Sequence, residues 1–169
     1  YMVANDLGID AIARFMAQFG FGSRTGIDIS GESAGVLPSQ EWKMRRFNQK
    51  WFAGETISIG IGQGYNAYTP LQLAQAIATL ASDGVTYRPH IVNYIEDGRT
   101  RERTTVESQM LRTLDLRREH LEVVKNALIG VNKEGTAARS FAGAAYVSAG
   151  KTGTAQVIGI KQGEKYVED

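Results

Sequence analysis

At 169 residues, with 43% hydrophobic and 22% charged side chains, the chain has the make-up of one ordered domain and is short for two. Its formal net charge of +1 supplies no electrostatic reason to expect nucleic acid or an anionic membrane as partner. With no cysteine, disulfides, thiol catalysis and cysteine-ligated metals are excluded, and no stretch approaches the roughly 18 apolar residues of a membrane span.

In chain order, Tyr1 to Gly8 predicts the last turns of a helix, with Gly8 as its left-handed terminator. Asp10 is placed as the N-cap of a second helix carrying Ile12, Phe15, Met16 and Phe19 at i, i+3, i+4, i+7 spacing, ended by Gly20 and Gly22. Residues 23–38 read as loop with a brief strand at Gly26-Ile27-Asp28-Ile29. Ser39 caps the next helix, with Met44, Phe47 and Trp51 on one face and Lys43, Arg45, Arg46 and Lys50 on a solvated other face. In Thr56 to Tyr65, alternating apolar positions dissolve into the glycines 60, 62 and 64.

Thr69-Pro70-Leu71-Gln72 predicts a helix start: threonine at the cap, proline at the first helical position, and glutamine completing a capping box. That helix is expected to run to about Ser82, turning Leu73, Ile77 and Leu80 inward, with Gly84 as its stop. Tyr87 to Ile95 reads as an edge strand because Pro89 cannot donate to a central ladder, and 97–113 as polar loop. Leu121, Val124, Leu128 and Val131 mark a further helix, and Gly135-Thr136-Ala137 opens a short one. Residues 146–159 are expected to form a strand. The missing helix start at Tyr1 and the absence of a partner for the last strand make the chain read as an internal piece of a larger domain.

The chemistry concentrates in Lys151-Thr152-Gly153-Thr154, followed by Ala155-Gln156-Val157. An ammonium and hydroxyls suit a carboxylate ligand, and a glycine lets a ligand backbone come close. A Lys-Thr-Gly triplet is one motif of penicillin-binding proteins and serine β-lactamases. Further segments accompany it in order: Leu7-Gly8-Ile9-Asp10, Phe19-Gly20-Phe21-Gly22, Thr25-Gly26-Ile27-Asp28, Gly60-Ile61-Gly62-Gln63-Gly64-Tyr65, Thr69-Pro70-Leu71-Gln72 and Gly135-Thr136-Ala137. Together they resemble the transpeptidase domain of class B penicillin-binding proteins, most closely the elongation branch of rod-shaped Gram-negative bacteria.

The resemblance implies an α+β fold, an antiparallel sheet flanked by helices, of which residues 1–169 would be a mostly helical C-terminal portion truncated at both ends. It implies serine acyl transfer on D-Ala-D-Ala stem peptides of peptidoglycan, covalent inhibition by β-lactams, and no metal or organic cofactor. Lys151 would supply positive potential beside the cleft, Thr152 would bind the substrate carboxylate, Gly153 would leave room for its backbone, and the Thr154 N–H would serve the oxyanion hole. It further implies a periplasmic domain held by an inner-membrane anchor outside these residues, partnered by a glycan-polymerising membrane protein of the elongation machinery.

The family's Ser-x-x-Lys and Ser-x-Asn motifs are missing in working form. Ser82-Asp83-Gly84 comes nearest to the second, and Ser148-Ala149-Gly150-Lys151 matches the first in letters only, because i and i+3 on a strand face opposite ways. The nucleophile is therefore expected upstream of Tyr1, and the fragment alone is expected to be inactive. Alternatives are a non-catalytic β-lactam sensor or scaffold of the same fold, a hydrolytic β-lactamase, and a phosphate-binding loop at residues 145–152 that lacks its first glycine. Gly60-x-Gly62-x-Gly64 lacks dinucleotide-loop spacing, and the basic and aromatic run 41–47 reads as a cationic helix face over an aromatic stripe. His90 and His120 are isolated and make neither a metal site nor a triad.

Overall fold

The computed structural model describes residues 1–153. Five α-helices, α1 (Met2–Gln18), α2 (Gln40–Phe47), α3 (Ala53–Gly60), α4 (Pro70–Ala81) and α5 (Arg118–Lys133), accompany four short strands, β1 (Val85–Tyr87), β2 (Tyr94–Glu96), β3 (Arg103–Thr105) and β4 (Met110–Thr113). The strands form two antiparallel pairs, β1 with β4 and β2 with β3. The class is α+β, as the resemblance implies.

Local signals place several boundaries correctly. Gly8 breaks α1 at φ 73°, ψ 159°, a conformation open to a residue without Cβ. Asp10, expected as an N-cap, lies instead inside α1 with helical backbone and is used across the fold, its carboxylate accepting from Gln40 Nε2 at 2.7 Å. The Ser39 hydroxyl accepts from the Trp42 amide at the start of α2. At α4, Thr69 Oγ1 accepts from Gln72 N while Gln72 Oε1 accepts from Thr69 N, the expected capping box.

Other expectations are corrected. Residues 26–29 form no strand; Thr25 and Gly26 instead donate to the Glu32 carboxylate. Residues 53–60 are helical despite their alternation, because Glu55 Oε2 accepts from the Phe52 amide and starts a helix there. The edge strand proposed over 87–95 is two separate elements, β1 and β2. The polar stretch 97–113 contains β3 and β4, whose pairing partners lie in β2 and β1. The described part of the strand expected over 146–159, residues 146–153, has no ladder pairing, and the remainder lies outside the described residues.

The core between α4 and β1 is polar as well as apolar. Gln72, Thr79 and Thr86 are almost fully buried. Gln72 Nε2 donates to Ser23 O and Ala34 O, and the Thr79 and Thr86 hydroxyls meet at 3.0 Å. Leu73 and Ile77, expected inward, are about half exposed. With Phe15 and Phe19 of the α1 stripe, Ile77 and Leu80 border an apolar cavity of about 510 Å³ that opens between α1, α4 and α5. α1 packs closely on α3, where Gly60 faces Ala4 with no room for a Cβ.

Candidate active site

α5 delivers the chain to the Lys-Thr-Gly block through the turn at Gly135 and a 3₁₀ turn at Ala138–Phe141. Lys151, Thr152 and Gly153 are all exposed. Lys151 Nζ donates to Thr152 O at 2.7 Å, with Thr152 Oγ1 at 3.4 Å, so the ammonium and the hydroxyl stand together. The Thr152 hydroxyl also meets the Thr136 hydroxyl at 3.3 Å. Among the described residues, a Cβ at Gly153 would touch nothing within 4 Å. Thr154, the expected oxyanion donor, lies outside the described residues.

Beside this block lies a cavity of about 390 Å³ lined by Ile77, Leu80 and Ala81 of α4, Lys125 and Leu128 of α5, and Lys151. Lys125 Nζ is 2.5 Å from Asp83 Oδ1. That hydrogen bond and the ammonium's charge hold the Asp83 carboxyl below its usual range. Ser82-Asp83-Gly84 is thus the end of α4, joined to α5. The arrangement sets Lys125 and Lys151 on the wall of an apolar hollow, with the Thr152 hydroxyl beside Lys151.

The structure separates the letters of Ser148-x-x-Lys151. Ser148 Oγ accepts from Asn132 Nδ2 at 2.9 Å, whereas Lys151 points to Thr152. The phosphate-loop alternative meets a competing bond, because the Gly150 amide donates to Leu128 O at 3.0 Å. The Gly60 to Gly64 segment is the turn that ends α3. Its Gly62 and Gln63 amides donate to Ile59 O and Ser58 O, and Asn66 Nδ2 donates to Ile59 O and Gln63 O. Among the described residues, no group of three or more His, Asp or Glu is placed to hold a metal.

Lys43 is not on a solvated face. It is 1% exposed, with Nζ 2.5 Å from Glu55 Oε1 and over the Phe52 ring at 4.4 Å. Tyr65 OH donates to the same Glu55 oxygen at 3.2 Å. Partial burial pushes the Glu55 carboxyl up, but Lys43, the Phe52 amide and Tyr65 outweigh it and hold it below its usual value. Sequence reasoning missed this pair and Asn132 alike. The only signal for either was a lone charged or polar residue on an otherwise ordinary helix.

The family model of the penicillin binding protein transpeptidase domain matches residues 1–169. The peptidoglycan D,D-transpeptidase MrdA of Escherichia coli (strain K12) is 41% identical over 169 residues, covering 98% of this chain and 26% of that protein. The crystal structure of Pseudomonas aeruginosa PBP2 in complex with WCK 5153 superposes with a TM-score of 0.81 at 42% identity, over 93% of this chain and 35% of that one. A structure described as the structural coordination of polymerization and crosslinking by a peptidoglycan synthase complex matches with a TM-score of 0.74 at 31% identity, over 87% of this chain and 23% of that one. The chain belongs to the penicillin-binding-protein transpeptidase domain family. It spans about a quarter of the length of the curated relatives it matches.

Proposed function

We propose that this chain is the C-terminal portion of one D,D-transpeptidase domain and that it forms one wall of the catalytic cleft. The observation that carries the reading is the exposed Lys151-Thr152-Gly153 segment on the rim of an apolar hollow, in a chain similar to MrdA along 98% of its length. In the reaction, a serine hydroxyl supplied from outside these residues attacks the carbonyl between two D-alanines of a stem peptide. Its oxygen forms an ester, the terminal D-alanine leaves with a proton on its amine, and an amine of a neighbouring strand then displaces the serine. β-Lactams stop at the ester stage.

Lys151 raises the positive potential that draws in the substrate carboxylate, and Thr152 donates its hydroxyl to that carboxylate. Gly153 admits the peptide backbone. The Thr154 amide takes the oxyanion, a role worth roughly 3–4 kcal/mol for a single donor in acyl transfer. The parent protein is read as a periplasmic domain on an inner-membrane anchor, working beside a glycan-polymerising membrane protein; the similarity to the peptidoglycan synthase complex supports this partner.

Labelling of the parent protein with a fluorescent penicillin tests the reading. Wild type should form a stable adduct, and Lys151→Ala should form it at least about 100-fold more slowly, the scale lost with a single electrostatic catalytic group. An intact, folded parent that takes no label would reject the transpeptidase assignment. Release of hydrolysed penicillin at a steady rate would point instead to a β-lactamase.

A further inference from the structure

The segment that carries Lys151 is held to α5 by three contacts at alternate residues. Ser148 Oγ accepts from Asn132 Nδ2 at 2.9 Å. The Gly150 amide donates to Leu128 O at 3.0 Å. Thr152 Oγ1 meets Thr136 Oγ1 at 3.3 Å. These anchors stand on both sides of Lys151, so its backbone position is set from residues 148 to 152 by groups on α5 and the turn after it.

Asn132 is the buried member of this set, 7% exposed in the last turn of α5. Its carboxamide also packs on Gly150, where a Cβ would stand 3.0 Å from Oδ1 and 3.3 Å from Nδ2. The glycine lets the chain lie against the amide, and a larger residue there would make the Asn132 side chain give by a few tenths of an ångström. An amide donor at that depth, left without its acceptor, is costly, which favours the Ser148 hydroxyl staying in place.

We infer that Asn132 is a positioning residue for the Lys151-Thr152-Gly153 segment, acting through the Ser148 hydroxyl and the close approach of Gly150. The inference rests on the transpeptidase reading above. It also assigns Ser148, the serine that matches Ser-x-x-Lys in letters, the work of a tether.

The test uses the full-length parent protein and a fluorescent penicillin, with the acylation rate constant separated from the preceding dissociation constant. Asn132→Leu keeps the approximate size but removes the donor; Ser148→Ala removes only the acceptor hydroxyl. Each should slow acylation between about 10- and 100-fold, the range that small misplacement of a catalytic group produces. The double variant should be no slower than the slower single one, since both break one link. Ser148→Thr, which keeps the hydroxyl, should acylate near the wild-type rate, whereas Ser148→Ala, which strands the buried Asn132 donor, should melt a few degrees lower yet stay folded at the assay temperature.

Wild-type acylation by Ser148→Ala would overturn the inference, as would losses that multiply in the double variant. Should Asn132→Leu fail to fold, the comparison of Ser148→Ala with Ser148→Thr decides alone. A wild-type parent that does not acylate would overturn the transpeptidase reading and the positioning role with it.

Discussion

Lys43 shows how a residue can reverse the role its neighbours suggest. Arg45 on the same short helix is exposed and makes only a loose 3.6 Å pair with Glu41, worth a few tenths of a kcal/mol at best. Lys43 sits instead among Phe52, Trp51 and Tyr65, where an ammonium is tolerable because Glu55 neutralises it and aromatic faces surround it. Lys43→Ala leaves Glu55 without its cation and should cost about 3 kcal/mol in a urea titration. Lys43→Met keeps the stem's volume and should cost less; an equal loss would show that charge alone matters. Nothing in the residue spacing signals this burial, because the enclosing rings come from Trp51 and Phe52 just before α3 and from Tyr65 after it.

At the scale of elements, α4 combines a start written in its own residues with a core written elsewhere. Thr69→Ala removes the cap and should cost about 1 kcal/mol. Gln72→Leu should cost more, about 2 kcal/mol, because it strips partners from Ser23 O, Ala34 O and the Thr69 amide together. Chemical denaturation of both variants checks the order, and a milder effect for Gln72→Leu would refute the bridging role. Gly60→Ala should cost about 1–3 kcal/mol, since its Cβ would meet Ala4 across the α1–α3 contact. β4 falls within a stretch that reads as polar loop, and its strand state arises where Val85 and Thr86 pair with Thr113 and Arg112.

For the whole molecule, carboxylates stitch distant loops together and set the pH response. Asp28 accepts from the Val92 and Ile91 amides, which lower its pKa. Burial pushes the Glu32 carboxyl up, but the Thr25 hydroxyl and the Thr25 and Gly26 amides outweigh it. With Glu55 also lowered, all three have folded values below the ordinary 3.8 for Asp and 4.5 for Glu. The unfolded chain thus binds more protons in that window. Stability is fully present above the ordinary values and is lost as pH falls through the lower folded ones. Urea midpoints should therefore drop between about pH 7 and about pH 3, and less steeply in Glu55→Gln. A midpoint that rises on acidification would contradict the assigned bonds.

Helix starts at Ser39 and Thr69, the break at Gly8 and the Lys-Thr-Gly block are all readable from residues in order. Each depends on partners within four positions, or on the side chains themselves. The burial of Lys43, the β1–β4 pairing and the Asn132 tether on Ser148 needed the folded chain. They join residues whose proximity is created by packing, and a polar side chain such as Asn132 carries no local mark of whether its partner will be water or a buried hydroxyl.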